Sequence, residues 1–139
     1  VSHSLFRWLD SRRDQAPLFV RLFAGTFLVY MSQDNVLSWA RMQEFADFLR
    51  HHGFPLPLPC AVVSVAAQFV SGLLFLVGAF VRWAALLMVV NFVVAIATVH
   101  LSLPLREALD PAAMLASAMS LLWSGAGRPS IDAWLDELE

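Results

Sequence analysis

Two stretches of this chain, residues 56–81 and 83–105, contain no Asp, Glu, Lys or Arg, and only Arg82 lies between them. Each is long enough to cross a bilayer as a helix, because about 20 apolar residues span roughly 30 Å of hydrocarbon. One charged residue between two such runs predicts a tight hairpin of antiparallel spans. The balance of the whole chain agrees. It is 59% hydrophobic and 14% charged, with a mean hydropathy of +0.67, whereas a soluble domain is about 45–50% apolar and 25% charged. At 139 residues the chain is one domain, 1–139, predicted to be an all-α integral membrane four-helix bundle with flanking interfacial amphipathic helices.

Charge and cysteine use exclude several classes of function. The net charge is −2 and there is no basic stripe, which argues against nucleic acid as a partner. Cys60 is the only cysteine, so an intramolecular disulfide, a CxxC pair and a cysteine-rich metal site are excluded. Cys60 reads as a small residue at a helix start. Arg12 and Arg13 precede an apolar run with no small-x-small cleavage site after it, so that run is expected to be a retained first span.

Along the chain, Leu5, Phe6, Trp8 and Leu9 lie among Arg7, Asp10, Arg12, Arg13 and Asp14. They predict an interfacial helix over about 3–13 with an aromatic anchor. A first span follows over about 16–36, opened by Pro17, with Arg21 a turn inside and expected to snorkel to the headgroups. Residues 38–52 place Trp39, Met42, Phe45, Phe48 and Leu49 at helical spacing, opposite Arg41, Gln43, Glu44, Asp47 and Arg50. That is an amphipathic helix in the interface plane, not a span. Gly53-Phe54-Pro55 stops it. Spans are expected at about 60–81 and 83–103, the latter ended by Pro104. Asp110-Pro111 reads as an N-cap and first helical residue opening a fourth span, 111–124. That span is short, so it is either extended by residues 105–109 or set beside a thinned bilayer. After Gly125-Ala126-Gly127-Arg128-Pro129, the residues Ile131, Trp134, Leu135 and Leu138 line an interfacial helix over about 130–138.

With four spans both termini share a side, which collects Arg7, Arg12, Arg13, Arg21, Arg82 and Arg128. The other side collects Arg41, Arg50 and Arg106. The bias places both termini in the cytoplasm. Trp8, Trp39, Trp83, Trp123 and Trp134 fall near span ends as an aromatic belt. The interface anchors are Arg21, Arg82, Trp39, Trp83 and Trp134.

Gln68 and Asn91 are the most polar groups deep in the spans. Ser64, Gln68 and Gly72 share one helix face, with Ser71 adjoining. Small residues there allow close helix packing, and an amide bonds across the interface. The functional alternative has Gln68 and Asn91 lining a pocket that meets a quinone carbonyl or another polar headgroup. His100 and Asp34 end their spans at similar depth, so Asp34, His100, Gln68 and Asn91 form a candidate polar or quinone pocket, roofed by the amphipathic helix. Its bland counterpart is helix-end capping. No metal site is expected: His51 and His52 point about 100° apart on a helix and no HxxxH spacing supports them. There is no haem histidine pair, GxGxxG or P-loop.

These residues resemble the DoxX-like family of small four-helix bacterial membrane proteins. Arg21, Gly25 and Tyr30 match its first-helix pattern, and Gly53-Phe54-Pro55 its Gly-Phe-Pro turn. The run from Ser71 to Gly78 with Arg82 matches its second-helix signature. Val99-His100-Leu101 resembles its third-helix ending, and Gly125-Ala126-Gly127-Arg128-Pro129-Ser130-Ile131-Asp132 its tail. The resemblance implies a four-helix bundle in the bacterial inner membrane. Some relatives are membrane subunits of thiosulfate:quinone oxidoreductases. Where family members often carry His-Gly, Lys and Glu, this chain has Met31-Ser32, Asn35 and Gln68, and a neutral amide hydrogen-bonds but does not titrate. The expectation is a small accessory subunit of a larger membrane redox or photosynthetic-type complex, bound to lipid and to other membrane subunits and not an enzyme on its own. The alternative is a quinone-interacting subunit of an oxidoreductase. A solute transporter is weaker, for want of an inverted repeat.

Overall fold

Glycine, not charge, decides where the chain turns between its two most apolar helices. The computed structural model describes residues 2–139, apart from the side chains of Ser2 and His100. Among the described residues every regular element is helical. They are α1 (Ser2–Asp10), α2 (Ala16–Leu37), α3 (Trp39–His51), α4 (Pro57–Val77), α5 (Val81–Thr98), α6 (Leu105–Ser124) and α7 (Ile131–Leu138), with short 3-10 turns at Arg13–Gln15 and His100–Ser102. The hairpin foreseen at Arg82 turns earlier. Gly78, at φ +74°, and Ala79 both donate their N–H to the Leu74 carbonyl, at 2.8 and 3.0 Å. This is the left-handed C-terminal cap that glycine accepts without Cβ strain. Arg82 already lies in the first turn of α5. A charge marks where a chain leaves the hydrocarbon, not where it reverses.

The bundle is built from two intimate pairs, α2 with α4 and α5 with α6, joined by α4 against α5 and α2 against α6. Gly25 and Gly72 set the first pair. A Cβ on Gly25 would sit 2.8 Å from the Gly72 carbonyl oxygen, and one on Gly72 would sit 3.0 Å from that of Gly25. The two backbones therefore touch, as small residues permit at helix interfaces in membranes. The main core repeats at helical spacing: Ala24 and Leu28 on α2, Val81, Ala84, Ala85, Met88 and Phe92 on α5, and Met114, Ala118 and Leu121 on α6, with Phe75 of α4 among them.

A second, smaller core places Met42, Ala46 and Leu49 of α3 on Ala61 and Val65 of α4. The amphipathic helix thus seats an i, i+4, i+7 stripe on the bundle, while Trp39 and Phe48 stay exposed.

The fourth long helix takes the extended form of the two expected, and its start differs from the expected one. It begins at Leu105, with Pro104 as its cap residue, and runs through Pro111, so Asp110-Pro111 does not open it. Pro111 has no N–H to give the Glu107 carbonyl, which loses its intrahelical donor.

Two helices are long and apolar enough to cross a membrane. They are α4, with a window of mean hydropathy 2.2, and α5, with 2.0. Neither α2 nor α6 meets that test; α2 carries Arg21 and a polar run over 32–35, and α6 carries Arg106, Glu107 and Asp110. The four-span expectation is matched by length and hydropathy in α4 and α5 alone.

Candidate functional site

The two ends of the bundle differ in kind. At the hairpin end, the segment before α7 and the first turn of α7 clasp the α4–α5 turn. Phe80 precedes α5 at φ +50° and has no side-chain acceptor to cap it. Asp132 supplies one from 51 and 52 residues away. Its Oδ1 accepts the Phe80 N–H at 2.7 Å and its Oδ2 the Val81 N–H at 2.9 Å. The Asp132 N–H in turn donates to the Gly78 carbonyl at 2.8 Å. A carboxylate on a helix N-terminus satisfies orphan donors and favours the dipole. Ser130 caps α7 by accepting the Ala133 N–H at 3.0 Å, and the Arg128 N–H reaches the Asp14 carbonyl at 2.8 Å.

Arg21 belongs to this clasp, which corrects the expectation that it snorkels. It is 2% exposed. Its Nη1 donates to the Ala126 carbonyl at 3.0 Å, and the guanidinium lies where a Cβ on Gly78 would be. The Gly125–Gly127 loop offers an inward carbonyl and the turn glycine leaves room, so the side chain folds into the protein. Its Nε finds no protein partner. Arg82 is exposed and donates to the Trp123 carbonyl at 3.2 Å. Trp83 and Trp134, like Trp39 at the other end, are exposed.

At the opposite end the helices enclose a cleft of about 860 Å³, within the 300–1,000 Å³ of small-molecule sites. α3 roofs it with Phe45, Phe48 and Leu49. Inside, a chain of polar groups joins two helices: Gln68 Nε2 donates to Ser64 Oγ at 3.0 Å, and Ser64 Oγ donates to Asn91 Oδ1 at 2.8 Å. The bond that crosses from α4 to α5 is thus made by the small Ser64, while Gln68 bonds within its own helix. Ser71 and Gly72 are buried, Gly72 in the contact with α2.

Asp34 is exposed and is absent from the cleft wall, so the structure does not bring it to Gln68. From the buried Leu28, positions 32 and 35 follow at i+4 and i+7, and Ser32 and Asn35 face the cleft instead; Asp34 points away from that stripe. The backbone of His100 lies in the 3-10 turn after α5, and its side chain lies outside the described residues. Glu107 and Asp110, one turn apart on α6, line the rim together with Pro111. Sequence reading missed them because Asp110 looked like a cap. The three-residue spacing of two carboxylates on a helix face was the signal. Cys60 also lines the cleft and gives its S–H to the Pro55 carbonyl at 3.3 Å. Among the described residues no group of three His, Cys, Asp or Glu side chains gathers to hold a metal.

An all-helical bundle with two bilayer-length apolar helices, a glycine-mediated α2–α4 contact and an internal polar chain defines a small membrane protein. The sequence model of the DoxX family matches residues 16–101. The chain belongs to the DoxX family, whose members are membrane-associated. The clasp at 125–132 lies beyond the matched residues. No curated protein and no solved structure matches the chain.

Proposed function

We propose that this protein is a four-span inner-membrane subunit with both termini cytoplasmic, and that it holds the head of a lipid-soluble quinone-type molecule for a membrane redox assembly. The observation that carries the reading is the Gln68–Ser64–Asn91 chain set in an otherwise apolar cleft. Ser64 uses its one proton on Asn91 and accepts from Gln68. Asn91 Nδ2 and Gln68 Oε1 are then the donor and the acceptor left for a ligand. A quinone carbonyl takes the first, and a quinol hydroxyl gives to the second. The bilayer setting is supported by α4 and α5, in which only 28% of each apolar window is buried by protein; the core helix of a soluble protein would be mostly covered.

The test uses the protein in nanodiscs, with bound quinone measured by solvent extraction and a short-chain quinone titrated by equilibrium dialysis. Asn91→Leu and Gln68→Leu are expected to weaken binding by about 2–12-fold, the value of one hydrogen bond of about 0.5–1.5 kcal/mol. Unchanged binding in both variants, or none in the parent, overturns the reading. A purely structural accessory subunit is the second reading. It is favoured by the polar chain satisfying itself, and it requires that the parent bind no quinone while comigrating with a larger complex in mild detergent.

A further inference from the structure

Resting on the reading of the cleft as a ligand site, we propose that its ligand arrives sideways from the bilayer, between α4 and α5. Val63 and Val90 form the rim of this portal, and the ligand is an uncharged head carried on an aliphatic tail. Two residue pairs locate the portal. Ser64 and Asn91 face each other across the α4–α5 seam at 2.8 Å. Their chain neighbours Val63 and Val90 both line the cleft, yet are 68% and 55% exposed. A residue that is at once cavity wall and outer surface stands where the cavity opens. On α5 the same wall continues through Leu87 and Val94, both exposed, about 10 Å apart along the axis. The opening is thus a slot on the face of the two most apolar helices, and the medium it meets is hydrocarbon.

Away from the slot, the α3 roof, which Met42, Ala46 and Leu49 fasten to α4, covers part of the cleft, and the exposed Glu107 and Asp110 make its remaining edge acidic rather than apolar. The charge of the wall selects the ligand further. Glu107 and Asp110 are its ionisable carboxylates, and none of its described residues is Arg or Lys, so a fatty acid or other anionic amphiphile meets repulsion. The polar chain lies directly behind the rim. A head passing the slot meets Asn91 and Gln68 at once, while its tail remains in the slot beside Val63 and Val90.

Val63→Trp and Val90→Trp, singly and together, test this in nanodiscs with a tail-less water-soluble quinone and with the same head on a long aliphatic tail. The double variant is expected to slow association of the tailed quinone about tenfold or more, the factor of about 1.4 kcal/mol of added barrier. Affinity for the tail-less quinone is expected to stay within about threefold, under 1 kcal/mol. A fatty acid of equal tail length is expected not to compete. If the Trp rims damage folding, Val63→Cys with Val90→Cys in a Cys60→Ser background, bridged by a cleavable bis-maleimide, is expected to block the tailed quinone until the bridge is cut. Equal association of the tailed quinone with open and closed rims refutes the portal and leaves the cleft standing. Failure of the parent to bind even the tail-less quinone refutes both.

Discussion

Replacing Asp132 by Ala removes the cap of a helix that begins 51 residues earlier in the chain. The structure sets the magnitude. Two backbone N–H groups, of Phe80 and Val81, lose a charged acceptor at 2.7 and 2.9 Å. Hydrogen bonds to charged groups contribute about 1.5–3 kcal/mol each, and loss of an N-cap costs about 0.5–2 kcal/mol. Phe80 is exposed and Asp132 half-buried, so water recovers part of the loss, and the sum is about 2–3 kcal/mol. No neighbour substitutes, because Phe80 has no side-chain acceptor of its own. Asp132→Asn keeps one acceptor oxygen but sets a donor amino group against the other N–H, so it too is expected to destabilise the turn. Cys60 provides the assay. It is the single thiol, half-buried at the far end of the bundle, so a thiol-reactive fluorogenic dye reports its exposure on heating. Two to three kcal/mol corresponds to a fall in Tm of about 6–15 °C for a chain of this length. Asp136→Ala, on the exposed side of the same helix, is the control. If Asp132→Ala melts within about 2 °C of the parent, the clasp does not hold the turn and the reasoning fails.

Gly72→Val is expected to destabilise the bundle by about 1–3 kcal/mol through overpacking against the α2 backbone, read in the same melt. Leu49→Ala is expected to loosen the α3 roof by about 2 kcal/mol, at the low end for a buried leucine. Hydrogen exchange should then quicken in α3 and leave α5 and α6 unchanged. Gln68→Leu is expected to cost under about 1 kcal/mol of stability, since its bond to Ser64 lies within α4 and even interhelical hydrogen bonds in membranes average only about 0.6 kcal/mol, while weakening quinone binding. A melt shifted as far as that of Asp132→Ala would instead make Gln68 a structural residue.

The long helices were legible because uncharged runs and helical spacing are local properties. α4 and α5 stand out by hydropathy, and the Met42, Phe45 and Leu49 stripe announced α3 as a helix with one sticky side. Sequence spacing did not show that this side meets α4 rather than lipid, because Ala61 and Val65 look like any other span residues. Arg21 was misread for a related reason. Its depth was clear, but its acceptor, Ala126, lies 105 residues away, so the only local resort was the headgroup region. Asp34 is not in the cleft wall, where depth alone, weighed without the angle about the helix axis, had put it; Ser32 and Asn35, at the correct angle, were noted as departures from the family pattern. Asp132 was read as part of a family-like tail, although Ser130-Ile131-Asp132 places it at an N-terminus, where carboxylates bond backbone N–H groups.

The clasp also gives the molecule a clock. At a synthesis rate of 5–20 residues per second, Asp132 is made about 3–10 s after Val81, whose N–H it accepts. Through that interval the α4–α5 turn lacks the carboxylate that accepts its Phe80 and Val81 N–H groups. The α2–α4 contact, built from residues already present, needs no such wait. The glycine contact and the hairpin both use residues made before the clasp, which closes only once Asp132 is present. A chain stalled between residues 100 and 130 would hold both of its most apolar helices yet still have an open turn for a membrane protease to find.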